Sequence, residues 1–461
     1  MPLLRIAVIG GVAAGPAAAA QAKRTAPKAE VVLFEQGPHI SYGACEIPYY
    51  VADAIPRLET LIQHTPASLE STRGVQVRVK HRVEALHPKR RRIVVRRLED
   101  GMVEEERFDK VILAVGARAK TLGIEGEQAA NVHLVRTLED AAWLKQSLEA
   151  GNVRHAVIIG GGYVGVEMAE ALVLRGIRTT MLAASGRVMA NNLTPTITAP
   201  LQEAMHARGV IIRDEQAVRF HQQSNGRVDY IETAKGERIG CQLVLVAAGI
   251  APNTDLAASA GLKLGRSGAF RVDDGMRTNL PNIWACGDCA EVTRLIDRKP
   301  IFWPLAATGY RTAHVAGANA ARQGRGRPAR FDGVLGITAM KAFGIEVASI
   351  GLTLNEALAA GYDAIAVDTS HWSRVAFYPG AQPLFMRFVA ERSRGRLLGA
   401  QASGAEGAAL RINVLSPILK AAGMVKDVHA LELAYTPPIA PLHDPLRVTA
   451  SHMLEKLAQR G

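Results

Sequence analysis

Twice in this chain a short apolar strand runs straight into glycines and then into a helix. The first instance is Arg5-Ile6-Ala7-Val8-Ile9 followed by Gly10-Gly11-Val12-Ala13-Ala14-Gly15; the second is Ala156-Val157-Ile158-Ile159 followed by Gly160-Gly161-Gly162-Tyr163-Val164-Gly165. A continuous apolar run such as Ile6 to Ile9 is buried on both faces, the pattern of a strand in a helix-covered parallel sheet. Glycine at the bend lets a ligand approach the backbone, and the free N–H groups at the following helix start attract a pyrophosphate. The repeat predicts an α/β fold with two dinucleotide-binding units.

The second unit carries all three glycines of G-x-G-x-x-G, whereas the first has Val12 at the middle place. After the first helix the strand Glu30 to Glu35 ends in an acid 25 residues past Gly10, the right distance for a carboxylate to hold a ribose diol. A third apolar strand, Lys110 to Val115, ends at Gly116, where a small residue leaves room for a cofactor. In the second unit the corresponding strand, Thr179 to Leu182, is followed by Ala183-Ala184-Ser185 and then Arg187. No carboxylate stands there to repel a 2′-phosphate, so NADPH is favoured over NADH, although both remain open.

The bulk numbers exclude several other classes. Nothing in the sequence is long and apolar enough to span a membrane, and the first apolar run turns into glycines as a core strand does, not as a signal peptide does. A length of 461 residues suits about three domains. Four cysteines make no disulfide framework, which favours the cytoplasm. The formal charge of +12 raises the question of nucleic acid, but the densest basic run, Lys89 to Arg92, reads as a hairpin turn and Gly324 to Arg327 as a linker. With aromatics at 5% there is no interleaved stacking surface.

One of the four cysteines lies in Ser41-Tyr42-Gly43-Ala44-Cys45-Glu46-Ile47-Pro48-Tyr49-Tyr50. Pro48 suits the first turn of a helix, and a thiol at a helix N-terminus gains thiolate character. The alternative is an inert core cysteine, which is how Cys241, at the start of a buried strand, reads. Cys286 and Cys289 form C-x-x-C without a second pair, so zinc is not expected, nor any other metal.

The two glycine units are followed by Leu243 to Gly249, by Ala251-Pro252-Asn253-Thr254, and by Thr278 to Ala290 with Gly287-Asp288 inside it. In this order they resemble flavin-dependent pyridine nucleotide–disulfide oxidoreductases. The resemblance implies two Rossmann-like domains and a third, α+β domain. An FAD domain, 1–120 and 243–325, would be split by an NAD(P) domain, 121–242, and followed by a dimerisation domain, 331–461. It implies FAD at Gly10, Val12, Gly15, Glu35, Gly116 and Asp288, and NADPH or NADH at Gly160, Gly162, Gly165, Glu167 and Arg187.

Relatives with C-x-x-x-x-C form an internal disulfide, but here the fifth position after Cys45 is Tyr50. The single-cysteine pattern resembles coenzyme A-disulfide reductases, persulfide reductases and some NADH oxidases. Cys45 would then cycle through a mixed disulfide with CoA or a persulfide, or, in an oxidase, through a sulfenic acid. A further alternative is a nucleotide-responsive redox sensor that binds a partner. The resemblance also implies that Gln21, Lys23, Arg24 and Ser41 face CoA, and that Tyr378 and Tyr435 reach the cysteine from the other subunit of a homodimer. His443-Asp444 is expected to be exposed. Glu46 stands where relatives place a small residue. It opposes the thiolate if it points inward, or faces solvent, or selects a cationic or uncharged substrate.

Overall fold

Ile6 to Ile9 is buried throughout, and the strand Arg5–Ile9 pairs in parallel with Glu30–Phe34 on one side and Lys110–Leu113 on the other. Gln76–Arg78 and Ile283–Ala285 extend this sheet to five parallel strands. The helices Ala14–Thr25 and Ala306–Ala321 pack together against it. The structure, a computed structural model, describes residues 3–324 and 326–459. Arg325, within the linker read from Gly324 to Arg327, lies outside them, as do the two residues at each end.

A second parallel sheet runs in the order Ile211–Arg213, Arg178–Leu182, His155–Ile159, Leu243–Val246, Val132–Leu134. This corrects the expected boundary at residue 243. Leu243–Val246 is not the returning strand of the first sheet; it pairs with Ala156 to Ile159 and with Val132 to Leu134 inside the second. Its four residues are all buried, a pattern that either parallel sheet would impose. The chain crosses back only after it, through an antiparallel ribbon of Ala117–Ala119 and Ile250–Pro252. The basic run Lys89 to Arg92 does form a turn, between His81–His87 and Arg92–Arg97, with Arg91 left-handed at φ 52°.

The third domain is a five-stranded antiparallel sheet in the order Thr338–Ala342, Ile345–Gly351, Leu397–Gly404, Pro383–Glu391, Ala364–Trp372. Ile350, Met386, Phe388 and Ala402 join Ile412, Leu446 and Met453 of the helices Ala408–Val414 and Pro445–Ala458 in one core. The helix Pro195–Ala207 of the second domain packs on this sheet, where Gln401 accepts from the Thr194 N–H at 2.9 Å.

The segment carrying Cys45 leaves the first sheet and embeds in the second domain. A 3-10 turn, Ala44–Glu46, precedes the helix Ile47–Val51, and Pro48 lies in its first turn as expected. Ile47, Tyr50 and Val51 are buried with Leu138, Ala141 and Val166. Burying Ile47 and Val51 contributes roughly 1.5–3 kcal/mol each. Tyr50 is therefore structural: its ring lies under the Lys145 ammonium at 4.3 Å. Lys145 also pairs with Asp53 Oδ1 at 2.6 Å and donates to the Pro56 carbonyl at 3.0 Å, and Arg175 engages Asp53 as well.

In the third domain Asp444 is buried, contrary to the expected exposure, because its charge is met by Arg411. Arg411 Nε donates to Asp444 Oδ2 at 3.0 Å, and Nη2 and Nη1 reach the carbonyls of Ser373 and Gly407, each at 3.2 Å. Asp444 Oδ1 accepts from the Leu446 N–H at 2.9 Å and caps the helix Pro445–Ala458. His443 itself is exposed. This pair fixes the ends of the loops that bear Tyr378 and Tyr435. Arg411→Met leaves the Asp444 carboxylate buried without its cation and is expected to cost about 3–5 kcal/mol, measured by denaturant unfolding; an unchanged midpoint would show that the pair is not holding these loops.

Candidate functional site

The glycine loops differ in what each glycine is for. Gly10 and Gly160 have φ of 105° and 115°, and a methyl carbon on Gly15 or Gly165 would collide with the Gly10 or Gly160 carbonyl oxygen. Helix and turn therefore touch only because those positions lack a side chain. Gly162 is different: nothing described lies within 4 Å of where its Cβ would be. No packing contact calls for glycine there, so the open face is left for a ligand at the start of the helix Tyr163–Leu174. At the first loop the half-buried Val12 holds the corresponding place. Glu35 is fixed at its mouth: Oε2 accepts from the Gly11 N–H at 2.6 Å and Oε1 from the Gly37 N–H at 2.7 Å. Gly116, at φ 66°, likewise meets no described atom within 4 Å. Both loops thus have the cradle and the first has the acid that a dinucleotide requires.

Cys45 is the exposed cysteine; Cys241, Cys286 and Cys289 are buried. Burial pushes the Cys241 and Cys289 thiols up to about 12 and the Cys286 thiol well above its ordinary value. The Cys289 Sγ lies 3.2 Å from the Cys286 carbonyl oxygen, so the C-x-x-C pair belongs to the core under the first sheet.

The expected thiolate character of Cys45 does not come from the helix. Enclosure by protein raises the Cys45 thiol above its ordinary value; Glu46, Glu167 and Asp288 raise it further, and Arg136 alone pulls it down. The reason lies in the fold. Cys45 is in the 3-10 turn, not the helix, and the helix Ile47–Val51 has only five residues to sum into a dipole. Burial, with Glu170 nearby, pushes the Glu167 carboxyl up to about 7. Glu46 is exposed, and its carboxylate folds back so that a methyl carbon on Gly43 would collide with Oε2.

Arg136 is a site residue that the sequence reading missed. Its Nη2 donates to Asp288 Oδ2 at 3.0 Å and so links the Gly287-Asp288 turn to the second domain. Thr137 and Asp140 form a capping box, and Asp140 Oδ2 accepts from the Arg136 N–H at 2.9 Å. That capping pattern is legible from Thr137-Leu138-Glu139-Asp140, but the partner of Arg136 is 152 residues away.

Of the residues expected to face CoA, the structure joins Gln21 and Arg24 and sets Lys23 apart. Arg24 Nη2 donates to Gln21 Oε1 at 2.6 Å and lies 3.5 Å from His314 Nε2, and the His314 ring lies tilted against the exposed Tyr310, centroids 4.2 Å apart. Lys23 instead donates to the Pro27 and Ala29 carbonyls, each at 2.9 Å, in the turn that follows its helix. Tyr310 and His314 extend the Arg24 cluster and carried no motif. Ser41, at φ 46°, donates its N–H to the Gly11 carbonyl and accepts from the Gln63 N–H, tying the first glycine loop to the cysteine segment. Arg187 lies beside the helix Pro195–Ala207, with Nη1 buried and unpartnered among the described residues.

Tyr378 and Tyr435 lie in adjoining loops of the third domain, where the Val375 N–H donates to the Pro437 carbonyl at 3.4 Å. Arg374 sits over the Tyr378 ring at 5.9 Å and pairs with Glu406. Both tyrosines are exposed, as are Phe377, Ile439 and Leu442, so this end of the domain presents an apolar face.

Comparison with known proteins accounts for nearly the whole chain. Residues 4–320 match the family model described as pyridine nucleotide-disulphide oxidoreductase, and residues 337–444 match that family's dimerisation domain. A CoA-dependent NAD(P)H sulfur oxidoreductase from Pyrococcus abyssi is 34% identical over 445 residues, 96% of this chain and 97% of its own length. A coenzyme A disulfide reductase from Staphylococcus aureus is 30% identical over 94% of this chain and 96% of its own. The structure of an NAD-dependent persulfide reductase from A. fulgidus superposes with a TM-score of 0.94 at 30% identity, covering 99% of this chain and 84% of that one. With its first two domains and its third matched in turn over residues 4–320 and 337–444, the chain belongs to the pyridine nucleotide-disulphide oxidoreductase family.

Proposed function

We propose that the protein uses NAD(P)H to reduce a low-molecular-weight disulfide or persulfide, with CoA as the carrier of the sulfur, through Cys45 alone. The observation that carries this reading is that Cys45 is the exposed thiol among four and that Tyr50, where a second thiol would stand, is locked under Lys145. The CoA-dependent sulfur oxidoreductase and the CoA disulfide reductase among the relatives support the substrate class.

FAD, held by Gly10, Val12, Gly15, Glu35, Gly116 and Asp288, supplies the relay of two electrons from the nicotinamide to sulfur when bound. Gly160, Gly162 and Gly165 hold the nicotinamide nucleotide's pyrophosphate, and Glu167 and Arg187 flank its site. Cys45 attacks the substrate sulfur as a thiolate and holds half of the disulfide. Gln21, Arg24 and Ser41 orient a CoA-like substrate, with the Arg24 guanidinium available to its phosphates. The dimerisation domain pairs two copies, and Tyr435 and Tyr378 of the partner subunit complete the site. A phenol there donates a proton to the departing thiolate. No helix is long and apolar enough to cross a membrane among the described residues, and the thiol chemistry suits a cytoplasmic setting.

Cys45→Ser is expected to lower disulfide turnover by at least about a thousandfold while the purified protein keeps its flavin absorbance; undiminished turnover would sink the single-thiol mechanism. Cofactor choice has its own test. Ala183→Asp places an acid just after Leu182 and is expected to lower kcat/KM for NADPH by about tenfold or more relative to NADH. An unchanged ratio would mean that this loop does not read the 2′-phosphate.

Glu167 makes stability depend on pH. Its carboxyl is raised to about 7, so the folded state holds that proton more tightly than the unfolded chain does. The associated stability is present below the ordinary carboxylate value and is lost as pH rises through about 7. Glu167→Gln should therefore be more stable than the parent at pH 8, by on the order of 2 kcal/mol, and closer to it at pH 5. Equal differences in unfolding free energy at the two pH values would rule this out.

A further inference from the structure

The acid beside the redox thiol is fixed by its own turn. Cys45 and Glu46 are both exposed and share the turn Ala44–Glu46. The Glu46 carboxylate folds back over Gly43, so its charge rests along the backbone of the turn that presents the thiol. By their charge, the acids Glu46, Glu167 and Asp288 push the Cys45 thiol up and the cation Arg136 pulls it down. Arg136 is already paired with Asp288 at 3.0 Å. Glu167 titrates near neutrality, and Glu46 exerts the largest charge effect of the four on the thiol. What remains at the mouth of the site is negative.

We infer that Glu46 is a specificity-determining residue that favours uncharged disulfides over anionic sulfur donors such as inorganic polysulfide at Cys45. This rests on the disulfide-reducing role proposed above. With a neutral disulfide R–S–S–R′, the Cys45 thiolate forms Cys45–S–S–R, the original S–S bond breaks and R′–S⁻ departs. A hydride equivalent from NAD(P)H then splits Cys45–S–S–R into the Cys45 thiolate and R–SH, leaving NAD(P)⁺. A polysulfide dianion must bring its charge against Glu46 to follow the same path. Like charges a few ångströms apart at a protein surface slow such an approach by roughly tenfold. The distant phosphates of a CoA-like substrate, met at Arg24, do not enter this balance.

The test compares the flavin-loaded protein with Glu46→Gln, using pantethine as the neutral disulfide and inorganic tetrasulfide as the anion, without oxygen. The ratio of kcat/KM for tetrasulfide over pantethine is expected to rise about tenfold in the variant, and 0.5 M salt should raise it in the parent but little in the variant. A ratio that stays within twofold overturns the inference while leaving the disulfide-reducing role intact. Failure of the parent to turn over pantethine, tetrasulfide and CoA disulfide alike overturns that role and with it the inference about turnover. A second measurement does not depend on turnover: alkylation of Cys45 by neutral iodoacetamide and by anionic iodoacetate. The parent should discriminate against iodoacetate more strongly than Glu46→Gln, and equal discrimination would remove Glu46 as the cause.

Discussion

Burial of the Ile47–Val51 helix in the second domain is the contact on which the rest of the site depends. The segment starts from the first glycine loop, where Ser41 is tied to Gly11, yet its apolar side chains complete the core of the domain that binds the other nucleotide. Cys45 is thereby held at the seam between two dinucleotide units. Lys145 fixes the far end by covering Tyr50 and pairing with Asp53. The fifth position after Cys45 is Tyr50, a part of this anchor.

The electrostatics of the seam run against the sulfur. Arg136 crosses between domains and pulls the Cys45 thiol down, but it pairs with Asp288, and the carboxylates outweigh it. A thiolate at this place cannot be credited to the short helix behind it. Charge at the rim, set mainly by Glu46, then becomes a filter on what can approach.

Much of the fold was legible in the sequence because its signals are local. Strand, glycine and helix follow one another within a few residues, and Glu35 lies at a fixed distance from Gly10, so both nucleotide units could be read directly. The strand Leu243–Val246 was misassigned because an all-apolar run states that it is buried but not which parallel sheet it joins. Asp444 and Arg136 were misread or missed for one reason: their partners, Arg411 and Asp288, are 33 and 152 residues away. The bonds of Lys23 to the carbonyls of Pro27 and Ala29 were not legible either, because sequence shows a cation on a helix but not the acceptors the fold brings to it.

The most direct test of a one-thiol relay is intact-mass analysis of the protein after incubation with CoA disulfide, before and after one equivalent of NADPH per chain. A single CoA adduct that maps to Cys45 and is released by NADPH is the expected result. Absence of any adduct, or an adduct on Cys241, Cys286 or Cys289, would contradict a mechanism that passes through Cys45.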